Sequence, residues 1–497
     1  MLFSSMLFLW IFLPVVLGIN FLFNIIKFRN ESRRYFYKNI FLLISSLVFY
    51  AWGGIYYLFI MLSSILINYL GGYFIHKCRN KISLSKFILV ITVVINLGML
   101  FFFKYFNMVI AMVETIIGYF HNTLEKGMFE AFVSLERTGE LNIMTVVLPI
   151  GISFFTFQAM SYVIDVYRKK AVCQKNILNF ALYVSLFPQL IAGPIVQYSD
   201  IEKQLSCRKE TLKLFASGQR RFCFGLAKKV IISNTCAEAA SQIWKLDVNH
   251  LGVLAWFGVF AYALQIYYDF SGYSDMAIGI GQMLGFRFKE NFNYPYTSLS
   301  VQEFWRRWHI SLSSWFKEYV YIPLGGNRKS ALCTYRNIFI VFLLTGIWHG
   351  ANFTFLAWGI WYAILQIIER LFLKKVLDKN PIKPINWLYT MLCVTIGWVF
   401  FNSPNIVFAW KYLTQMFSFS IGEYSILSYL SMKTIVVMGI GVLLCGFIQR
   451  PVKHFIKTNE GNIWIQLTGS VFGIAMLLLC ILFLINGTYN PFIYFQF

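Results

Sequence analysis

Runs of apolar residues close to the length needed to cross a lipid bilayer recur along this whole chain. A transmembrane helix needs about 20 predominantly apolar residues, and one such run at the N-terminus alone would indicate a signal sequence. Candidate spans lie at residues 7–26, 40–52, 55–75, 87–106, 146–166, 177–196, 251–268, 338–347, 353–371, 387–401, 434–447 and 465–484. The sequence therefore predicts an all-α, polytopic membrane protein with roughly a dozen transmembrane helices, short and re-entrant pieces included, in a single domain over residues 1–497.

The composition fits a chain whose main solvent is lipid. Of the 497 residues, 58% are hydrophobic and 13% are charged, which is about half the charged fraction of a soluble domain. A net charge of +22 would favour nucleic acid as the partner of a soluble protein, but here the basic residues cluster in short loops between spans. We therefore expect the lipid bilayer, and no nucleic acid, as a partner.

The basic loops also predict the topology, because Lys and Arg near span ends mark the cytoplasmic side. With these loops inside, both the N-terminus and the C-terminus lie outside, as does the acidic segment from Met108 to Asn142. The clusters comprise Lys27, Arg29, Arg33, Arg34 and Lys38; Lys77, Arg79, Lys81 and Lys86; Lys374, Lys375, Lys379 and Lys383; and Arg450, Lys453 and Lys457.

Neither a metal site nor a tightly bound cofactor is expected. The nine cysteines show no paired spacing, and most have apolar neighbours, which is typical of free buried thiols. No glycine-rich phosphate loop or dinucleotide-binding fingerprint occurs in the chain.

The stretch from Asp269 to Arg336, within the longer core segment 269–352, is the most informative part of the sequence, because charges and aromatic residues mix there in an otherwise hydrophobic half. Pro295 and Pro323, the latter followed by Gly325-Gly326, interrupt regular spans. Irregular backbone survives at membrane depth only where protein buries it or where it lines a wet cavity. This segment therefore predicts re-entrant helices around an internal chamber. Its small residues allow close helix packing, namely Gly272, Gly279, Gly281 and Gly285.

One short predicted helix carries Glu303, Arg306, Arg307 and His309. A charge at the bilayer centre costs about 2.5 to 3.5 kcal/mol on insertion scales, so these residues must face a polar interior or the interface. Glu303 and Arg306 are three positions apart and can pair. An amphipathic helix at the interface would explain the arginines equally well, and His309 by itself fits a structural histidine.

A second histidine, His349, lies in the apolar string LLTGIWHGANFTFLAWG. One interpretation is a hydrogen bond between helices, worth about 0.6 kcal/mol in membranes. The other is catalytic, since a neutral imidazole in a desolvated pocket can take a proton from a hydroxyl and accelerate a reaction by roughly 10² to 10⁴. No other ionisable residue of this string competes for that role.

Several long strings, in order, resemble the membrane-bound O-acyltransferase family and its bacterial alginate O-acetylase-like branch. A bare Trp-His-Gly would be a weak match, whereas this resemblance covers nearly the whole chain. The strings are GISFFTFQAMSYVIDVYR from Gly151, FPQLIAGPI from Phe187, DFSGYSDMAIGIG from Asp269, ENFNYPY from Glu290, EFWRRWHISLSSWFKEYVYIPLGGNR from Glu303 and LTGIWHGAN from Leu344.

The resemblance implies roles for individual residues. His349 matches the family's catalytic histidine, the base on the acceptor hydroxyl within a tunnel that joins the two membrane faces, and His309 matches the second family histidine. Residues expected to line or support the tunnel are Trp305, Arg306, Trp348, Asn352 and Asp275.

The resemblance also implies the reaction. An acetyl group would pass from acetyl-coenzyme A, a donor substrate on the cytoplasmic side, to hydroxyls of a glycan outside a bacterial cytoplasmic membrane, through an extracytoplasmic hydrolase-like acetyltransferase partner. Transfer of D-alanyl or another acyl group to a cell-wall polymer is an alternative. Because coenzyme A carries phosphates, the tunnel mouth should be basic. Candidates are Arg220, Arg221, Lys228, Lys229, Arg287, Lys289, Arg328 and Lys329.

Three other classes of protein share some of these features. A transporter would use intramembrane acids such as Asp165, Asp269 and Asp275 as ion sites. A metalloenzyme could use His309, His349 and Asp275, although no close ligand spacing exists. A non-catalytic scaffold of a glycan-export complex would have the same fold, and a His349 variant separates it from an enzyme.

The last eight residues, NPFIYFQF from Asn490, follow the final span. Aromatic side chains favour the headgroup region, so an interfacial anchor is one interpretation. The tail also resembles aromatic motifs with a tyrosine in this branch, which implies that Tyr494 enters the tunnel and acts as an acyl relay. Its phenol is a better leaving group than an alkyl alcohol, provided that a base removes its proton.

Overall fold

The computed structural model describes residues 1–125, 147–418, 420–459, 461–487 and 490–493. Regular structure in these ranges is entirely helical. The first helices are long, and Asn30 caps the second by accepting a hydrogen bond from the Arg33 amide at 3.0 Å. They are α1 (Leu13–Ile25, preceded by the π-helical turn Phe8–Phe12), α2 (Glu31–Ala51), α3 (Ile55–Lys77) and α4 (Ile82–Glu125).

Most helices in the middle of the chain are short and largely buried in the protein, whereas one, Leu254–Met283, runs for 30 residues. Residues 177–196, expected as one span, form two short helices separated at Leu186 and followed by extended backbone. The helices are α5 (Ile152–Tyr167), α6 (Ile177–Ser185), α7 (Phe187–Leu190), α8 (Tyr198–Ser206), α9 (Leu212–Ala227), α10 (Asn234–Trp244), α11 (Leu254–Met283), α12 (Val301–Arg307) and α13 (Ile310–Phe316). π-Helical turns Lys228–Ser233 and Lys317–Tyr321 follow α9 and α13, and 3-10 turns lie at Val248–His250 and Pro295–Thr297.

The last part of the chain returns to long helices with polar caps. Ser330 and Asn352 cap α14 and α15 by accepting hydrogen bonds from the amides of Cys333 and Thr354. The helices are α14 (Ala331–His349), α15 (Phe353–Ile368), α16 (Lys374–Lys379), α17 (Lys383–Asn402), α18 (Ile406–Phe417), α19 (Ile426–Tyr429), α20 (Met432–Leu444), α21 (Gln449–Thr458) and α22 (Ile463–Asn486), with the π-helical turn Glu369–Leu373 between α15 and α16.

The all-α polytopic fold is confirmed. Seven helices of the described residues are long and apolar enough to cross a membrane, or eight if α20 and the start of α21, bent by 52°, form one span. The other expected spans correspond to shorter, more polar or more deeply buried pieces. The predicted external segment from Met108 lies outside the described residues from position 126 onwards, and Tyr494 also lies outside them.

Glycines let α9 and α11 touch through their backbones. A Cβ built on Gly225 would lie 2.7 Å from the Gly272 carbonyl oxygen, and one built on Gly218 would lie 2.5 Å from that of Gly279. Because real Cβ atoms do not approach so closely, any larger residue would force the helices apart. The predicted close packing at Gly272 and Gly279 is therefore confirmed.

The buried apolar side chains form two cores that meet along α11. Tyr268 belongs to the core of the C-terminal half, whereas Phe270 belongs to the core of the N-terminal half. The same division separates Trp348, at the end of α14, from Trp358 in α15. This junction is where both candidate histidines lie.

Candidate active site

Helix α14 ends at His349, and α4 holds that end in place. The Lys104 ammonium donates to the Trp348 carbonyl, and the Tyr105 hydroxyl donates to the Ile347 carbonyl. The last carbonyls of a helix have no intrahelical partner, and a cation at this end also complements the helix dipole. Contacts from α4 thus supply the partners that the final turn of α14 lacks.

Helix α15, which follows, contacts α14 through its backbone. A Cβ on Gly346 would lie 2.4 Å from the Phe355 carbonyl oxygen, and one on Gly359 would lie 2.6 Å from the Phe342 carbonyl oxygen. Since no side chain separates α14 from α15 at these points, the position of His349 relative to α15 is fixed by backbone contact.

Aromatic rings enclose His349, which is 6% exposed. The rings of Trp348, Trp358 and Phe401 each lie 5.0 Å from the imidazole, centre to centre. Its Nδ1 has no hydrogen-bond partner among the described residues. A cavity of about 30 Å³, room for about one water molecule, is lined by His349, Lys104 and Ser153 among others. The ring nitrogen is therefore free to bond a substrate hydroxyl.

His309 occupies a different environment. Its backbone is left-handed, with φ 43°, a conformation that non-glycine residues rarely adopt and that costs about 1–3 kcal/mol. Its Nδ1 lies 3.2 Å from Asn291 Oδ1 and 3.4 Å from Ser311 Oγ. The same Asn291 oxygen accepts from the Ser311 amide at 3.1 Å and hydroxyl at 2.9 Å. Hydrogen bonds from Asn291 thus hold the strained turn.

Both histidines flank Trp348. The Trp348 ring centre is 6.1 Å from that of His309 and 5.0 Å from that of His349. The Ser311 hydroxyl also accepts from the Ile195 amide at 3.0 Å, which ties the His309 turn to the broken segment after α7. The structure therefore brings together the two histidines that the sequence separates by forty positions.

Two of the predicted supporting residues stand beside this pair. Trp305 packs edge-on against Trp358, with 5.5 Å between ring centres, so Trp358 separates it from His349. Asn352 caps α15 and donates from Nδ2 to the Pro404 carbonyl at 2.7 Å, which fixes the turn after His349.

The predicted pairing of Glu303 with Arg306 is wrong. Glu303 pairs with Arg307, four positions on, and accepts from the Leu299 amide at 2.8 Å. Both spacings allow a pair on a helix surface, and the i,i+3 pair of Glu31 with Arg34 does form in this protein. Arg306 is exposed and forms no ion pair in the part of the chain that the structure describes.

Asp275 does not reach the histidines. It pairs with Arg221 Nη2 at 2.8 Å and with Lys228 Nζ at 2.7 Å, beside a separate cavity of about 290 Å³. Other predicted phosphate-binding cations are also neutralised, since Lys229 pairs with Asp269 and Lys289 with Asp200, both within 2.8 Å. Four of the eight cations predicted to line the tunnel mouth thus form ion pairs within the protein.

The structure also accounts for the acids that a transporter would use. The Asp165 carboxylate accepts from the Tyr319 hydroxyl at 3.0 Å, and Asp269 and Asp275 are paired with cations as described. Among the described residues, no group of three His, Cys, Asp or Glu side chains is arranged to hold a metal ion.

Sequence reasoning missed three residues of the site. Asn291 lies within the string ENFNYPY, Ser311 within the string from Glu303, and Lys104 within the predicted span 87–106. A signal existed for Lys104, because a lysine inside an apolar run requires a partner. For Asn291 and Ser311, local sequence gives no sign that they bond one histidine.

A buried histidine whose Nδ1 has no partner among the described residues thus lies at the junction of two cores in an α-helical polytopic protein, which makes it the candidate centre of an active site. Residues 168–409, which contain both histidines, match the family model described as MBOAT, membrane-bound O-acyltransferase family. The chain belongs to the membrane-bound O-acyltransferase family and is an acyltransferase.

Known proteins match this chain over nearly its full length. The chain is 42% identical to the probable alginate O-acetylase of Pseudomonas aeruginosa, over 90% of the chain and 80% of that protein. It is 38% identical to the protein of the same name from Pseudomonas putida, over 100% of both. It is also 32% identical to the peptidoglycan O-acetyltransferase of Helicobacter pylori, over 100% of the chain and 98% of that protein.

Proposed function

We propose that this protein moves an acetyl group from acetyl-coenzyme A on the cytoplasmic side of a bacterial cytoplasmic membrane towards hydroxyls of an extracytoplasmic glycan, with His349 as the general base. The observation that carries the proposal is the unpartnered Nδ1 of a histidine enclosed by aromatic rings. Such a nitrogen can accept the proton of the attacking hydroxyl while the rings exclude water that would hydrolyse the thioester. We assign His309, whose Nδ1 is engaged while its Nε2 has no partner among the described residues, a supporting role.

A basic cavity supports the position of the donor. It measures about 540 Å³ between α12–α13 and α14–α15. Its lining includes Arg306, Lys317 and Arg370 and no carboxylate, and none of these three cations forms an ion pair within the described ranges. The acids nearby are engaged, since Glu303 pairs with Arg307 and Glu369 accepts from two backbone amides. Free cations without an opposing acid suit the phosphates of coenzyme A.

The same cavity points towards His349. Trp305 and Thr345 line its wall. Thr345 is one helical turn before His349 on α14, and Trp305 is separated from His349 by the ring of Trp358. A thioester whose phosphates rest on Arg306, Lys317 and Arg370 would therefore lie one ring away from the base, in line with a tunnel through the membrane.

The orientation of the chain is part of the proposal. With both termini outside and the loops around Arg33, Lys81, Lys375 and Lys453 inside, Arg370 and the basic cavity face the cytoplasm. An impermeant thiol reagent, applied to cysteines at positions 81 and 453 in a background without native thiols, should label them only after the membrane is permeabilised. Labelling from outside in intact cells would contradict this orientation.

The names of the relatives support a glycan as acceptor, since they act on alginate and on peptidoglycan. We further propose a relay in which Tyr494 carries the acetyl group as a phenyl ester to an extracytoplasmic acetyltransferase. In the first step the phenol oxygen attacks the thioester carbonyl and its proton goes to His349. The carbon–sulfur bond then breaks, and the leaving thiolate takes that proton from His349, so that coenzyme A departs as the thiol. In the second step the partner transfers the acetyl group to a glycan hydroxyl and the phenol is regenerated.

The relay is tested by Tyr494→Phe, which removes one oxygen and keeps the ring. We expect glycan acetyl esters to disappear while membrane insertion stays normal, and intact-mass analysis of the wild type to show a small acetylated fraction that the variant lacks. Feeding labelled acetyl-coenzyme A to inverted vesicles identifies the donor, and a D-alanyl adduct instead would favour the alternative acyl group. Full acetylation by Tyr494→Phe would rule out the relay.

A further inference from the structure

The segment Asn490–Ile493, here called the tail segment, lies inside the protein and not at a membrane interface. Phe492 is 4% exposed and Ile493 1% exposed. The Phe492 ring centre is 4.9 Å from that of Tyr273 on α11. The expected interfacial anchor is therefore wrong for these residues, because the interior of the protein buries their side chains.

The tail segment also joins the two ends of the chain. The Asn490 side chain donates to the Ser4 hydroxyl at 3.0 Å and accepts from Asn234 Nδ2 at 3.1 Å. Phe492 belongs to the core of the N-terminal half and Ile493 to that of the C-terminal half. The tail segment thus crosses the same junction at which the histidines lie.

A buried ion pair forms hydrogen bonds with the backbone of the tail segment. Lys229 Nζ lies 2.8 Å from Asp269 Oδ1, and the two side chains are 2% and 1% exposed. Lys229 also donates to the Pro491 carbonyl, and Asp269 Oδ2 accepts from the Ile493 amide at 2.8 Å. The pair therefore bonds the main chain on both sides of Phe492.

A second ion pair in the protein provides a comparison. Lys38 and Glu210 are 2.7 Å apart and also poorly exposed. Their further contacts are with the side chains of Asn24, Asn20 and Arg208, whose Nε lies 3.6 Å from Glu210. A buried pair must satisfy its remaining donors and acceptors, since the loss of hydration otherwise exceeds the attraction. At Lys38 side chains of the helices do this, whereas at Lys229 and Asp269 the tail segment does it.

The Lys229–Asp269 pair lies near the candidate active site. Asp269 precedes Phe270 on α11, and the Phe270 ring centre is 4.5 Å from that of His309. The residue that follows the clamped Ile493 in the sequence is Tyr494.

We propose that the Lys229–Asp269 pair is a docking clamp for the tail segment and that it positions Tyr494 for acyl transfer. This inference rests on the proposed relay for its second half, whereas docking itself does not. Because the bonds go to main-chain atoms, they fix the path of the chain independently of the side chains of Pro491 and Ile493. Lys229 and Asp269 are positioning residues and take no part in the chemical step.

Hydrogen–deuterium exchange of the Ile493 amide tests docking in the full-length purified protein without any substrate. In the wild type the amide should exchange at least tenfold more slowly than the unfolded peptide. In Lys229→Met/Asp269→Leu, which replaces the pair with apolar residues of similar volume, folding should persist and this protection should be lost. The control is Lys38→Met, which removes the other buried lysine and leaves Glu210 paired with Arg208, and in it the Ile493 amide should stay protected.

Function is measured in the same variants. Lys229→Met/Asp269→Leu should lose glycan acetylation as completely as Tyr494→Phe, and Lys38→Met should retain it. Lys229→Met/Asp269→Asn keeps an acceptor for the Ile493 amide, so both protection and acetylation should be intermediate. Lys229→Met/Asp269→Asn also tests the proposal if Lys229→Met/Asp269→Leu fails to insert into the membrane.

The outcomes separate the two halves of the inference. An unprotected Ile493 amide in the wild type, or a protected one in both clamp variants, would overturn docking. A released tail with undiminished acetylation would overturn the positioning role. If His349→Ala kept full acetylation while the exchange results held, the proposed function would fail and the docking clamp would stand.

Discussion

The surroundings of His309 and His349 differ although both rings touch Trp348. His309 has a left-handed backbone and is held by Asn291 and Ser311 through Nδ1. His349 ends a regular helix, and its Nδ1 has no partner among the described residues. Polar contacts hold His309 through one ring nitrogen and leave its Nε2 without a partner among the described residues, whereas aromatic packing encloses His349.

From this difference we expect the two histidines to contribute unequally to structure and to the reaction. Hydrogen bonds that satisfy a buried imidazole also occupy the lone pairs and protons it would use in a reaction. Packing by Trp358, Phe401 and the Gly346 contact with α15 positions His349 without occupying its Nδ1. We therefore expect His349 to govern the rate of acetyl transfer and His309 to govern the stability of the fold.

The largest effect is expected for His349. His349→Ala should lower glycan acetylation by two or more orders of magnitude, as expected for loss of a general base. His349→Phe keeps a ring in the aromatic enclosure, so it should be as inactive but closer to the wild type in thermal unfolding of the purified protein.

The exposed His454, on α21, provides the matched control. His454→Ala makes the same chemical change away from the site and should leave acetylation unchanged. Retained acetylation in membrane-inserted His349→Ala would eliminate His349 as the base and would favour the non-catalytic scaffold.

A smaller effect is expected from moving His349 without changing it. Gly346→Ala places a Cβ 2.4 Å from the Phe355 carbonyl oxygen, so α14 and α15 must separate. Displacements on the order of 1 Å can cost up to about 10² in rate, and we expect a loss of about tenfold in acetylation. Gly439→Ala is the control, since nothing lies within 4 Å of its Cβ. Equal activity of the two variants would show that backbone contact does not position the base.

The smallest effect on rate, with the clearest effect on stability, is expected at His309. His309→Ala loses the contact with Asn291 and leaves an alanine at φ 43°. We expect acetylation to fall by less than about tenfold while the thermal unfolding temperature drops below that of His349→Phe. Asn tolerates left-handed backbone, so His309→Asn should recover part of the stability. A larger rate loss than in His349→Ala would reverse the assignment of the two histidines.

Much of the fold followed from local pattern. Apolar runs gave the long helices at both ends of the chain, and the glycines of α11 gave its close contact with α9. Breaks at Pro and Gly correctly marked the short helices between α11 and α14. The structure of segment 177–196 could not be predicted from local pattern, because its apolar composition is equally compatible with one span and with two buried short helices.

Charge partners were the least predictable feature. The sequence offers several cations for each acid, and only the folded chain decides that Arg307 takes Glu303, that Lys229 takes Asp269, and that Arg306 stays free. Side chains three and four apart on a helix compete within a few tenths of a kcal/mol, about the size of a surface pair. Small differences in rotamer and burial, absent from the sequence pattern, therefore settle the pairing.

The sequence by itself determined that this is an α-helical membrane protein, and its strings around His309 and His349 pointed to an acyltransferase, because hydropathy and short motifs are local properties of the chain. Tertiary structure alone decided that Asn291 bonds His309, that Lys104 caps the helix of His349, and that the tail segment docks on Lys229 and Asp269. These contacts join residues that are mostly far apart in sequence. They arise only when packing of the helices brings buried polar groups together and the loss of hydration requires each to find a partner.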